Sequence, residues 1–246
     1  MVLRNWEALP EKLQNEKVRP YYDSLSRKKT SLRMKRLLDV MIAAAASIVL
    51  LPVMVIVGIA VKLDSPGPVF FRQERVTAYG KVFRIWKFRS MVANAEQKGA
   101  HVTSQGDSRI TRVGRFIRKC RLDEIPQLFN ILAGDMTFVG VRPEVQKYVD
   151  HYTEEMYATL LLPAGVTSEA SIRYKDEDTY LTEGQNPDAV YIQTVLPGKM
   201  YYNLKAMQQF SLLEDLKTLI RTVLAVCGKE YAEEREAVEN GTNTGT

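Results

Sequence analysis

Val40-Met-Ile-Ala-Ala-Ala-Ala-Ser-Ile-Val-Leu-Leu-Pro-Val-Met-Val-Ile-Val-Gly-Ile-Ala-Val61 is a run of 22 residues without a charge. A bilayer span needs about 20 apolar residues, so the run is long enough to enter a membrane. A soluble helix apolar on every side would be unusual in so small a domain. Nor does the run read as a cleaved signal sequence. It is preceded by 39 residues, and its apolar part exceeds the roughly 7–15 residues of such peptides.

The flanks of the run conflict. Arg27, Lys28, Lys29, Arg33, Lys35 and Arg36 precede it; Lys62, Arg72, Arg75, Lys81, Arg84, Lys87 and Arg89 follow it. Under the positive-inside rule both ends ask for the cytoplasmic side. Pro52 offers a way out, because a proline kinks or breaks a helix. The halves Val40–Leu51 and Val53–Val61 would each reach only ~13–18 Å at about 1.5 Å per residue. A helix-break-helix that enters and leaves by one face satisfies both flanks, with Ser47 available for freed backbone groups. A kinked single span remains the alternative on these residues alone. Asp39, at the start of the first half, is placed to cap it or to pair with Lys35 or Arg36.

The whole chain has 246 residues, 46% hydrophobic and 26% charged, which excludes wholesale disorder. Its two cysteines, Cys120 and Cys227, exclude a disulfide scaffold. The net charge of +5 hides a division. Residues 27–121 hold 20 basic and 5 acidic residues, and residues 122–246 hold 10 basic and 20 acidic. The basic block asks for an anionic partner.

Within that block, Ser65-Pro-Gly-Pro68 is a loop signal. Val69–Arg75 and Val82–Arg89 alternate aromatic and β-branched residues with basic ones around Gly80, which reads as a β-hairpin. Phe70, Phe83, Ile85 and Phe88 are assigned to its apolar side. Arg84, Lys87 and Arg89 are expected to face solvent or phosphate. Arg109, Arg112, Arg115 and Arg118 then recur every third residue, a candidate anion track because arginine binds phosphate oxygens bidentately. With only His101 and His151 in the chain, no zinc or nucleic-acid motif accompanies the row.

Leu122-Asp-Glu-Ile-Pro-Gln-Leu-Phe-Asn-Ile-Leu132 follows directly. Leu122, Ile125, Phe129 and Leu132 repeat at helical spacing. Pro126 fits only a first turn, so Asp123 and Glu124 fall near a helix N-terminus, and Gly134 ends the helix. Adjacent carboxylates there are commonly a cap. The same place also attracts phosphate. One carboxylate can attack phosphorus while its neighbour holds Mg²⁺. Arg142, in a Gly-Val-Arg-Pro turn, is a second candidate phosphate clamp.

At this point the chain resembles the monotopic polyprenyl-phosphate phosphoglycosyl transferases, over roughly residues 33–225. The motifs that carry the resemblance are Lys35-Arg36-x-x-Asp39, Ser65-Pro-Gly-Pro68, Phe71-Arg-Gln73, Lys87-Phe-Arg-Ser-Met91, Asp107-Ser-Arg-Ile-Thr111, Gly114-Arg115, Leu122-Asp-Glu124, Pro126-Gln-Leu128, Gly134-Asp-Met136 and Arg142-Pro143. The resemblance implies an α+β, mainly helical fold: a re-entrant membrane helix broken near Pro52 and a small cytoplasmic catalytic domain with a β-hairpin and amphipathic interfacial helices. It implies a bacterial inner-membrane enzyme that moves a sugar 1-phosphate from a UDP-sugar to a polyprenyl phosphate, namely undecaprenyl phosphate. Asp123 would form a phosphosugar–aspartyl intermediate as UMP leaves. Glu124 falls on the Mg²⁺-associated position, and Arg118 and Arg142 on arginines that look like phosphate ligands, with Lys87 and Arg89 as further candidates. A homodimer is compatible with it, and nucleic acid is not a partner. Three departures concern donor specificity: Thr77 replaces a usual glycine, Val141 a usual proline, and Pro163-Ala-Gly-Val-Thr-Ser168 a usual Arg-Pro-Gly-(Ile/Val)-Thr-Gly.

Residues 1–30 read as an appended interfacial segment, 31–63 as the membrane helix, 64–228 as the catalytic domain and 229–246 as a charged, partly disordered tail. Ser171–Thr194 reads as loop with some helix near the site mouth. Tyr201–Val226 reads as helix with an apolar stripe, packed on the core or lying on the membrane. Cys120 reads as a packing residue. Two other functions compete: a membrane-anchored binder of nucleic acid or anionic lipid, and an aspartyl-phosphate phosphatase, which no Asp-x-Asp motif supports.

Overall fold

The computed structural model describes residues 3–92, 95, 107–174 and 186–226. They are mainly helical, with two small two-stranded sheets. The long apolar run lies inside one helix, α2 (Lys29–Asp64). Pro52 sits within it, and the backbone stays helical across the proline, so α2 does not divide into two separate half-helices. The missing proline donor leaves the Ile48 carbonyl without its intrahelical partner. Ser47 does not relieve it; its Oγ donates to the Ala43 carbonyl at 2.7 Å.

One side of α2 is covered from end to end. Leu32 near its start, Ala43 in its middle, and Met54, Val57 and Val61 toward its end are buried. The other side exposes Met41, Ile42, Ile48, Val49, Ile56 and Ile59. Both ends of the helix and its centre therefore rest on the same globular body.

That body begins before α2. Residues 3–28, with α1 (Arg19–Ser26), are not a loose appendage. Leu3, Leu9, Leu13, Val18, Tyr21, Tyr22 and Leu25 help to form the largest core, together with Tyr148, Leu161, Tyr191, Leu196 and Met200. Trp6 packs edge-on to Tyr22, with ring centroids 5.0 Å apart.

The expected hairpin is present as β1 (Phe70–Val76) and β2 (Val82–Phe88), paired antiparallel from Phe70–Phe88 to Val76–Val82. Period-2 alternation sends its residues to two different places. Phe83 and Ile85 join a cluster with Ala43, Leu128 and Ile131, whereas Phe88 joins Met54, Val57, Val61 and Ile117. The hairpin thus wedges between α2 and the helices α3 (Arg112–Lys119) and α4 (Gln127–Ala133). Thr77, the residue in place of a glycine, ties the hairpin turn down. Its Oγ1 donates to the Asp135 carbonyl at 2.7 Å and accepts from the Ala164 amide at 3.0 Å.

β3 (Met136–Val139) and β4 (Ala164–Thr167) pair in parallel. The crossover between them carries α5 (Gln146–Val149) and a 3-10 helix at Met156–Leu161. After β4 come α6 (Glu169–Arg173), α7 (Pro187–Val190), a π-helical turn at Tyr191–Val195, α8 (Leu196–Gln208) and α9 (Leu212–Val226). The single helix expected over Tyr201–Val226 is broken at Gln209–Ser211, because Phe210 turns into the core and Ser211 Oγ accepts from the Glu214 amide at 3.1 Å. The apolar stripe of α9, including Leu213, Leu216, Ile220 and Val223, is exposed. Residues 175–185 of the expected site-mouth segment, and the whole 229–246 tail, lie outside the described residues.

Candidate active site

Asp123 and Glu124 occupy a one-turn 3-10 helix, Leu122–Glu124, immediately before α4. Arg121 enters this turn in the left-handed region at φ 55°. For a non-glycine residue that conformation costs about 1–3 kcal/mol and is held only by its surroundings. Pro126 follows as the N-cap of α4, as the sequence requires, and Gly134 ends the helix at φ 91°. Asn130 fastens α4 to the hairpin by two bonds: Nδ2 donates to Arg84 O at 3.0 Å and Oδ1 accepts from Trp86 N at 2.9 Å.

The Lys-Arg-x-x-Asp motif at the start of α2 fixes the other end of α4. Arg36 donates to the carbonyls of Ile131 and Leu132 at 2.6 and 3.1 Å, satisfying the helix C-terminus. Asp39 accepts from Thr137 Oγ1 at 2.5 Å, anchoring β3. Lys35 reaches Asp215 of α9 at 2.6 Å. The apolar helix is thereby bonded to α4, the helix that directly follows the dyad turn.

Glu124 is held by two cations. Lys87 of β2 donates to its Oε1 at 2.9 Å. Arg142 binds both oxygens, with Nη1–Oε2 at 3.2 Å and Nη2 bonded to Oε1. Burial pushes the Glu124 carboxyl up, but Arg142 and Lys87 outweigh it and hold the group well below the usual carboxylate range. Lys87 is depressed by burial, with Glu124 opposing.

Arg142 reaches this position through a close backbone contact. The Gly140 amide donates to Thr167 O at 3.0 Å and the Gly165 amide to Val141 O at 2.8 Å. A Cβ at Gly165 would lie 2.1 Å from Gly140 O, so only glycine lets the turn dock on β4. Arg142 Nη1 also donates to Val166 O at 2.9 Å.

Asp123 differs from its neighbour. It is 8% exposed, and its Oδ1 is enclosed without a hydrogen-bond partner among the described residues. Burial, with Glu124 beside it, pushes its carboxyl up; Lys87, Arg118 and Arg121 pull it back. The dyad therefore pairs a firmly ionised, neutralised glutamate with an enclosed aspartate that carries an open oxygen.

The other expected cations divide. Arg118, half-buried on α3, lies within electrostatic reach of Asp123. Arg89 does not face solvent: it is 5% exposed, and its Nη2 donates to Val61 O and Ser65 O at 3.1 and 2.6 Å. It closes the C-terminal end of α2, whose last carbonyls need donors. Arg109 is not part of an anion track, because it is chelated by Asp107 two residues earlier at 2.5–3.0 Å. Arg112 and Arg115 are exposed. Cys120 is exposed at the end of α3 and is not a packing residue.

No cluster of three or more metal-ligating side chains occurs among the described residues. Mg²⁺ needs only one or two carboxylates beside water and phosphate oxygens. A carboxylate offers roughly four acceptor positions, and the Lys87 and Arg142 bonds occupy three on Glu124. The remaining position on Glu124 Oε2 is a single carboxylate donor of the kind such an ion needs.

Behind Arg142 lies a buried network that sequence reading did not reveal. Glu144 Oε1 accepts from Tyr191 Oη at 2.6 Å and lies 3.6 Å from Lys199 Nζ. Tyr148 stacks on Tyr191 at 4.4 Å, and its Oη donates to Asp188 Oδ1 at 2.6 Å. The π-helical turn begins at Tyr191, so the network joins the Arg142 loop to the start of α8.

A carboxylate pair set among cations, just ahead of a helix whose C-terminal end is bonded to a long apolar helix, is a site suited to anionic groups beside an apolar surface. The chain belongs to the bacterial sugar transferase family, whose model matches residues 30–229. It is 38% identical over 197 residues to a UDP-N-acetylgalactosamine-undecaprenyl-phosphate N-acetylgalactosaminephosphotransferase of Aeromonas hydrophila, covering 78% of this chain and 43% of that protein. It is 35% identical over 192 residues to a UDP-glucose:undecaprenyl-phosphate glucose-1-phosphate transferase of Caulobacter vibrioides, covering 77% of this chain and 68% of that protein. An Escherichia coli protein of the same description is 33% identical over 193 residues, covering 77% and 39%. The chain thus spans less than half the length of two of these three relatives.

Proposed function

We propose that the protein is a transferase that moves a sugar 1-phosphate from a UDP-sugar to undecaprenyl phosphate at the cytoplasmic face of the bacterial inner membrane. The Asp123 carboxylate attacks the β-phosphorus of the donor. The bond from that phosphorus to the bridging oxygen breaks, and UMP leaves. A phosphate oxygen of the lipid then attacks the same phosphorus, the aspartyl–phosphorus bond breaks, and the Asp123 carboxylate is regenerated. The observation that carries the reading is the asymmetry of the dyad: an enclosed Asp123 with an unpartnered oxygen beside a Glu124 already neutralised by Lys87 and Arg142.

The chain's own residues make this chemistry feasible. An anionic nucleophile must meet anionic phosphate, so fixed cations around the site lower the barrier. Lys87, Arg118 and Arg142 supply them. The open position on Glu124 would hold Mg²⁺, which when bound adds charge neutralisation of the phosphoryl oxygens. The enclosure of Asp123 keeps water from intercepting the intermediate.

The membrane arrangement is part of the same reading. A straight bilayer crossing would carry the far end of α2 about 30 Å from the domain, yet Leu32, Ala43 and Val61 are all buried on one body. A shallow, re-entrant insertion with its bend at Pro52 is compatible with these contacts and with basic flanks on one side. The exposed stripe of α9 would then lie in the interface beside it. A membrane-anchored binder without chemistry explains the charge but gives no reason to keep Asp123 unpaired.

The test is a panel of UDP-sugars with undecaprenyl phosphate and Mg²⁺ in detergent or nanodiscs, scored by UMP release. One or more donors should give UMP, and Asp123→Asn should abolish it while leaving membrane binding intact. Turnover by that variant would rule out the covalent route.

A further inference from the structure

Three polar atoms within five residues of chain are enclosed without a hydrogen-bond partner among the described residues: Asp123 Oδ1, Gln127 Nε2 and Gln127 Oε1. Gln127 is 1% exposed, so neither of its amide atoms can turn to bulk water. Buried polar groups are nearly always paired, and an amide enclosed with neither atom bonded is costly. The other enclosed unpartnered atoms, on Arg89 and Asn203, belong to different elements. At the dyad, a donor and an acceptor that lack partners lie four residues apart.

Gln–Asp pairs at that spacing hydrogen-bond on a helix face. Here the backbone between them is wound more tightly. The Ile125 amide donates to Leu122 O, Leu128 to Ile125 O, and Phe129 to Pro126 O, each across three residues. At about three residues per turn, residue i+4 is carried roughly 120° past residue i. In an α-helix the same offset is about 40°. The tight winding accounts for two complementary groups staying apart. Looser, α-helical winding would carry the two side chains toward one face. Lys87 and Arg142 are bonded to Glu124, and no described residue donates to Asp123 Oδ1.

We propose that Gln127 is a positioning residue for the nucleophile: in the reacting state its Nε2 donates to Asp123 Oδ1, fixing the carboxylate plane and leaving Oδ2 to attack phosphorus. The proposal rests on the reading of Asp123 as nucleophile. Gln127 does not touch the reacting phosphorus; it acts through Asp123.

Gln127→Met removes the amide at nearly constant volume. Three quantities are measured on the full-length protein in nanodiscs: the rate of phosphosugar adduct formation on the Asp123 peptide in single turnover, the donor KM, and the melting midpoint without substrate. Loss of a hydrogen bond to a charged group should slow adduct formation roughly ten- to a hundredfold. The donor KM should stay within about twofold, because ground-state binding is untouched. The midpoint should hold or rise, since an unpaired buried amide has been removed. Gln127→Leu, which also removes the amide, should slow adduct formation likewise. An adduct rate equal to wild type overturns the proposal. So does a slower rate accompanied by a midpoint lower by several degrees, which marks a structural amide; so, too, does a raised KM with an unchanged rate, which marks a substrate contact. A wild-type protein that forms no adduct from any donor defeats the transferase reading itself, and the pairing falls with it.

Discussion

Replacing Glu124 by Gln tests whether the dyad is built as an ion cluster. Its carboxylate sits 2.9 Å from Lys87 Nζ and 3.2 Å from Arg142 Nη1. At an effective dielectric of about 20, the Lys87 contact alone is a gross attraction of about 6 kcal/mol. Desolvation of three enclosed ions cancels much of that, so the informative quantity is the cost of removing one partner. The variant keeps one acceptor oxygen, sets an NH₂ group against Arg142 or Lys87, and leaves two partly buried cations, their side chains 27% and 21% exposed, without their nearest anion, so the fully buried case is the upper bound. That cost is roughly 3–5 kcal/mol. At about 2–4 °C per kcal/mol for a chain of this size, the melting midpoint at pH 7 should fall by about 6–20 °C. Burial already depresses Lys87 and Glu124 opposes it, so in the variant Lys87 sheds its proton more readily and brings the loss toward the lower end. The pH dependence has a defined sign. Glu124 is held well below its ordinary value of 4.5. Its contribution is therefore full above 4.5 and disappears as pH falls through the lowered folded value. The gap between wild type and variant, followed by scanning fluorimetry or circular dichroism, should be widest near neutral pH and close in strong acid. A variant that melts within 2 °C of wild type at pH 7 would refute the ion-cluster account.

Gly165→Ala puts a Cβ 2.1 Å from Gly140 O; it should lower the midpoint and, by displacing Arg142, slow UMP release at least tenfold in the same preparations. Arg36→Gln uncaps the last carbonyls of α4 and should cost about 1–3 kcal/mol, measured by denaturant unfolding. Burial raises Asp123 above its ordinary 3.8, so turnover should fail on the acid side as pH drops through that raised value, because the protonated acid cannot attack; a pH–rate profile flat down to the ordinary carboxylate range would contradict it. Leu216→Glu with Ile220→Glu on the exposed α9 stripe should weaken binding to anionic vesicles in flotation while leaving the midpoint within about 2 °C.

Much of the site was legible because its signals are local. Alternation around Gly80 gave the hairpin, and Pro126 with Gly134 bracketed α4. The apolar run and the adjacent carboxylates needed no partner to be noticed. What escaped depends on distance along the chain. Arg36 caps a helix 95 residues away, and Asp39 anchors a strand 98 residues away. Arg36 was visible in the motif as a partner for Asp39, and Asp39 as a cap or a partner for Lys35, which lies 4.0 Å from it, but neither long-range contact was. The docking of Gly165 on Gly140 and the core role of residues 3–28 leave no period in the sequence. Arg109 and Arg89 were misassigned for a related reason. A three-residue rhythm of arginines gives no hint that Asp107 captures one of them. Alternation along β2 does not say that the residue after its end closes a helix. The break at Phe210 was hidden because apolar spacing continues through it.

The central claim is the phosphosugar–aspartyl intermediate on Asp123. Wild-type protein is incubated with a productive UDP-sugar and Mg²⁺ without acceptor, quenched, digested and analysed by peptide mass spectrometry. The account expects a phosphosugar adduct on the peptide containing Asp123, localised to that residue and discharged when undecaprenyl phosphate is added. Acceptor-dependent UMP release with no adduct on Asp123, or an adduct on another residue, would contradict it.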